Sequence, residues 1–125
     1  MKRLVLFLNF FCLSAYAVTP GETVENFRLE DHKRDSHELY YYKESKAIAF
    51  MVQGNGCPIA RNATVDYHKL KNQYESKGIK FLMINSNLQD SVKSIRDEAQ
   101  EYEYEIPILK DETQLVGESL LLTRT

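Results

Sequence analysis

The sequence predicts an α/β domain, a central sheet with flanking helices, and three stretches carry that expectation. Residues 46–52 and 79–85 are nearly continuous apolar runs bounded by polar residues, as in strands covered on both faces. Between them lies a segment of helical periodicity that opens on Pro58. A strand, a helix and a second strand joined by a crossover of this length form a parallel pair.

Residues 1–17 precede the domain. Lys2 and Arg3, an apolar run from Leu4 to Leu13 and the ending Ala15-Tyr16-Ala17 match the three regions of a secretory signal peptide, with cleavage expected after Ala17. The run is too short to cross a hydrocarbon layer of ~30 Å, so no stable membrane span is expected after cleavage. An uncleaved anchor or a buried first helix is the other reading. Cys12 follows Asn9-Phe10-Phe11 rather than the small residues a lipidation site needs, so no lipid anchor is expected. The expected product is one exported (periplasmic or extracellular) domain, residues 18–125. The formal charge is -2 at pH 7. Loss of Lys2 and Arg3 makes the remainder more acidic, which argues against nucleic acid as a partner.

Residues 26–30 alternate apolar and polar as a short strand does, residues 31–36 make a charged turn, and residues 37–40 read as a second strand, giving a hairpin. Tyr40, Tyr41 and Tyr42 are consecutive and cannot share one face of a regular element, so partial burial is expected of them. Residues 46–52 are expected mid-sheet. Pro58 then suits the first position of a helix, where its missing N–H costs nothing. Ile59, Ala63, Tyr67, Leu70 and Tyr74 form the expected core-facing stripe, and the helix is expected to end near Lys77 and Gly78.

Residues 79–85 supply the next strand, and Asn87 to Asp90 a polar loop in which Asp90 or Ser91 caps a second helix. Val92, Ile95, Ala99 and Tyr102 are its apolar stripe, while Glu101, Glu103 and Glu105 read as solvated charges. Residues 106–109 are a short strand. Pro107 requires that strand to lie at an edge or to begin there. A brief helix is expected over residues 113–120.

The chemistry centres on Cys57. With Cys12 removed in the leader it is the one cysteine of the expected domain, so no internal disulfide can form. A thiolate is stabilised by the free N–H groups and partial positive charge of a helix N-terminus, and Cys57 stands immediately before Pro58. Arg61 lies one turn further along the same face and adds a positive charge. A small buried cysteine beside an ordinary glycine loop is the other reading of the same residues. Ala60 occupies the place of the second thiol of a Cys-x-x-Cys pair, so any disulfide or sulfenic acid on Cys57 requires an external thiol to resolve it. His32, His37 and His68 are not spaced for a metal with Cys57. His68 is ~16 Å from it along a straight helix, which also excludes a nucleophile and base pair. His32 and His37 read as surface histidines. No metal and no cofactor is expected. Asn62-Ala63-Thr64 matches a glycosylation sequon, but it falls within a predicted helix and is set aside.

Taken together, Phe27-Arg28-Leu29-Glu30-Asp31, Gly56-Cys57-Pro58-Ile59-Ala60-Arg61-Asn62, Phe81 to Asn87 with its Asn85-Ser86-Asn87, Ile108 to Gln114 and Thr123-Arg124-Thr125 resemble thioredoxin-like redoxins. These belong to the broad group that holds the alkyl hydroperoxide reductase and thiol-specific antioxidant family. The resemblance implies a thioredoxin-like fold, an extracytoplasmic setting and Cys57 at the family's redox-active position. The chain departs from the pattern in three places. Phe50 and Gly54 stand where peroxiredoxins carry the proline and threonine of Pro-x-x-x-Thr-x-x-Cys, which argues against peroxidase activity. Ala60 replaces the second thiol. In relatives a cis-proline follows Thr-Arg-Thr, so the resemblance implies that a C-terminal hairpin and helix are missing beyond Thr125, leaving strands without sheet partners.

Two functions follow. The first is an exported thiol oxidoreductase or antioxidant-type redoxin. In it Cys57 attacks a protein disulfide or a peroxide, Arg61 stabilises the thiolate, Gly56 and Pro58 frame the substrate, and an external thiol or thiol protein acts as reductant. The alternative is a non-catalytic redoxin-like accessory domain, or an inactive fragment of a longer protein, in which Cys57 is idle.

Overall fold

The computed structural model describes residues 18–123. The proposed leader, Arg124 and Thr125 lie outside that range. β1 (Arg28–Asp31) and β2 (Ser36–Glu38) form an antiparallel hairpin. β3 (Ala47–Val52), β4 (Ile79–Asn85) and β5 (Ile108–Lys110) run parallel, and β1 joins β5 antiparallel, giving the order β2-β1-β5-β4-β3. α1 (Pro58–Tyr74) carries the chain from β3 to β4, α2 (Val92–Glu101) from β4 to β5, and the short α3 (Leu115–Ser119) follows β5.

The two crossovers step in the same direction across the sheet, so their common handedness puts α1 and α2 on one face. Tyr67 of α1 and Ile95 and Ala99 of α2 pack there on Phe81, Met83, Ile106 and Ile108. Leu82, Ile84 and Leu109 point the other way, against Phe27, Leu29, Phe50 and Val116. β4 thus supplies alternate residues to both faces, which is why its sequence is apolar throughout. Each such side chain contributes about 1.5–3 kcal/mol by leaving water.

Three expectations are corrected. Residues 46–52 are not mid-sheet: β3 is the outer strand of the described sheet, pairs only with β4 and is at most half-buried. Apolar continuity reports cover above and below a strand and carries nothing about its lateral neighbours; the central places belong to β4 and β5. β5 lies between β1 and β4, so of the two places open to Pro107 it takes the one at the start of the strand. Pro107 immediately precedes it, and its carbonyl accepts Met83 N–H at 2.8 Å.

The core face of α1 is also rotated from the expected stripe. Ala60, Thr64 and Tyr67 are buried, while Ile59 is 79% exposed and Leu70 and Tyr74 also face solvent. Thr64 tolerates burial because its hydroxyl donates to the Ala60 carbonyl at 2.8 Å. The Tyr67 hydroxyl reaches the carbonyls of Ala49, at 2.7 Å, and Leu82, at 3.0 Å. Burial pushes that hydroxyl up to about 12, so it stays a donor.

Third, His32 and His37 are not surface histidines. His32 is 2% exposed and its Nδ1 accepts Ile108 N–H at 3.2 Å. His37 lies between the Tyr42 hydroxyl and the Asp31 carboxylate, which its Nε2 meets at 3.0 Å. Tyr42 is half-buried, but Tyr40 and Tyr41 face solvent.

Other boundaries follow the sequence. Gly78 closes the turn after α1 at φ 91, a left-handed conformation that suits glycine. The Ser91 hydroxyl caps α2 by accepting Ser94 N–H at 3.1 Å, which leaves Asp90 for other work. Among the described residues no helix is long and apolar enough to cross a membrane.

Candidate active site

β3 ends at Val52, and five residues later α1 begins with Cys57 as its N-cap in extended conformation (φ -80, ψ 112). The thiol is free, half-buried and makes no capping hydrogen bond. Gly56 permits the turn, since its φ is +70. The Cys57 N–H donates back to the Gly54 carbonyl at 3.3 Å, and the Cys57 carbonyl accepts Arg61 N–H at 3.0 Å, closing the first helical turn. Sequence order and local geometry therefore put a thiol at the positive end of a 17-residue helix.

The amides around the thiol are largely committed elsewhere. Asn55 N–H donates to Asp90 Oδ2 at 3.0 Å and Gly56 N–H to Glu98 Oε2 at 2.7 Å. Pro58 has none to give. Gly56 thus contributes the turn and Pro58 the helix start, and the donors left to an anion are the first-turn amides of Ile59 and Ala60.

Arg61 follows on the next turn. Its guanidinium carbon lies over the Tyr102 ring, 3.9 Å from the centroid, and its buried Nε has no hydrogen-bond partner among the described residues. The cation is thereby held between α1 and the end of α2. Burial raises the Tyr104 hydroxyl above the usual phenol range, the Glu98 charge adds to the rise and Arg61 opposes it, so these groups share one neighbourhood. His68 touches this neighbourhood only through Tyr104. It lies further along α1 against the Tyr104 ring, with burial holding its imidazole below the usual histidine range.

Beneath the thiol loop is a buried polar network. Asn85 Nδ2 donates to Gln53 Oε1 and to Asp90 Oδ2, both at 2.8 Å. Gln53 Nε2 donates to Asn55 Oδ1 at 3.0 Å, and Asn87 Nδ2 to Asp90 Oδ2 at 3.2 Å. Gln53 and Asn85 are the residues at which the apolar runs of β3 and β4 turn polar, and both are buried. Sequence reasoning missed Gln53, Asp90 and Glu98 as parts of the site. The one local signal is a carboxamide side chain ending each apolar run.

The AhpC/TSA family model matches residues 20–125. Among solved structures, an uncharacterized conserved protein of Geobacillus kaustophilus is 30% identical with a TM-score of 0.70, over 79% of this chain and 56% of its own. A hypothetical protein of Sinorhizobium meliloti is 26% identical with a TM-score of 0.72, over 82% of this chain and 59% of its own. The peroxidoxin BcpB of Mycobacterium tuberculosis is 17% identical with a TM-score of 0.72, over 84% of this chain and 67% of its own. The chain therefore spans less than two thirds of the length of the first two. No curated protein matches it. The mixed sheet with helices on its faces is a thioredoxin-like α/β fold.

Proposed function

We propose, from the premise that the chain belongs to the AhpC/TSA family, that it is a thiol redoxin whose redox-active group is Cys57. The observation that carries this reading is a free, partly exposed thiol at the N-cap of α1 with no side-chain partner of its own. In the proposed reaction the Cys57 thiolate attacks one sulfur of a disulfide. A mixed disulfide forms, the second sulfur leaves as a thiolate, and an external thiol then attacks the mixed disulfide to release Cys57. With a peroxide, the thiolate takes one oxygen as a sulfenic acid and the remainder leaves as water or alcohol. The external thiol is required because Ala60 stands at the resolving position.

Arg61 supplies positive charge near the helix start, and the first-turn amides stabilise the anion. Gly56 and Pro58 shape the surface on which the substrate sulfur approaches. Gly54 offers no hydroxyl to orient a peroxide, which favours disulfides as substrates. Residues 1–17 support an exported protein, working on disulfides or peroxides outside the cytoplasm with a small thiol or thiol protein as reductant.

The test is exchange with a small-molecule disulfide, comparing wild type with Cys57→Ser. Exchange by the wild type alone supports the proposal. An equally slow wild type, together with an unaltered cellular phenotype of Cys57→Ser, supports the accessory-domain alternative instead.

A further inference from the structure

The loop that presents the thiol is tethered from α2, across the domain in sequence, rather than by the helix it opens. Gly56, the residue directly before Cys57, donates its N–H to Glu98 Oε2 at 2.7 Å. We propose that Glu98 is a positioning residue for Cys57, fixing from α2 the turn that presents the thiol. This rests on the thiol-redoxin reading above.

The geometry of the bond carries the inference. Gly56 holds φ +70, and its carboxylate partner pins that turn, so the orientation of the next residue depends on α2. The Gly56 amide is the donor of this bond and is not free to a ligand at Cys57. Glu98 takes that amide, while the Arg61 guanidinium lies over the Tyr102 ring. α2 therefore acts on Cys57 through one side chain that orders the loop before it.

Glu98→Gln retains an acceptor for Gly56, whereas Glu98→Ala removes it. The experiment is the rate of iodoacetamide alkylation at Cys57 in the full chain at one fixed pH, with amide hydrogen exchange at Gly56. Expected for Glu98→Ala is lost protection at Gly56 and an alkylation rate changed several-fold, as expected when the group presenting a thiol loses its orientation. Expected for Glu98→Gln is that both return to the wild-type values. If Glu98→Ala matches wild type in rate and exchange, or Glu98→Gln behaves as Glu98→Ala, the proposal is overturned. Alkylation needs no redox partner, so a wild type that alkylates but forms no mixed disulfide overturns the redoxin reading, while the variants still decide the role of Glu98.

Discussion

The Asp90 carboxylate accepts the backbone N–H of Asn55 at 3.0 Å, binding the loop before α2 to the loop before α1. The same oxygen accepts the buried side chain of Asn85 and that of Asn87. Asp90→Ala strands these donors, and a buried polar group left without its partner costs about 1–3 kcal/mol. The expected outcome is a loss of that size in denaturant titration, together with slower disulfide exchange at Cys57. Unchanged stability would show that the network is replaceable by water.

Arg61 contributes through charge and through its stacking on Tyr102. Arg61→Ala is expected to slow reaction of Cys57 with a disulfide several-fold at neutral pH, and to cost about 0.5–1 kcal/mol of stability from the lost cation–π contact. Arg61→Lys should restore part of the rate and less of the packing. Stopped-flow exchange and thermal unfolding check the two effects separately.

Gly117 opens a different vulnerability. Its N–H donates to Asp111 Oδ2 at 2.7 Å, and an added Cβ would lie 2.7 Å from Ser86 Oγ and 3.3 Å from Asp111 Oδ2. Ser86 cannot simply swing aside, because its hydroxyl donates to the same carboxylate at 3.0 Å. Gly117→Ala is expected to destabilise by about 1–3 kcal/mol, as overpacking does. A denaturation midpoint equal to wild type would refute this.

The extent of what the sequence reveals differs between elements. β4, the Gly78 terminus of α1 and the buried Val92, Ile95 and Ala99 of α2 are legible because each depends on local periodicity or a single conformational preference. The face of α1 is not, because hydrophobicity alone favours Ile59 over Thr64. The outcome is decided by hydrogen bonds from Thr64 to Ala60 and from Tyr67 to β3 and β4. The lateral place of β3 depends on pairing, which apolar content does not encode. Cys57 is legible from its glycine turn and Pro58. Asn85 is legible as part of Asn85-Ser86-Asn87, but the roles of Gln53, Asp90 and Glu98 are not, because each depends on a bond to a partner more than thirty residues away, Asn85, Asn55 and Gly56 respectively.

A pH dependence follows from His32. Burial holds its imidazole below the usual histidine range, with Lys33, Arg96 and His37 adding and Asp31 opposing. The folded chain therefore favours neutral His32, while the unfolded chain takes up a proton near the ordinary value of 6.5. Stability from this group is fully present above that pH and declines as pH falls below it. Protonation also removes the lone pair that accepts Ile108 N–H. His68 shifts in the same direction, chiefly through burial. Thermal unfolding from pH 7.5 to pH 5 should show Tm falling by several degrees, and His32→Gln should flatten the fall. A flat wild-type profile would contradict the assignment.

Intact-mass spectrometry of the chain, before and after a small disulfide and then after a small thiol, tests the role of Cys57 most directly. The account predicts one mixed disulfide per chain, located at Cys57, formed at neutral pH and fully reversed by the thiol. A mass that does not change under these conditions, with Cys57 still present as a free thiol, would contradict it.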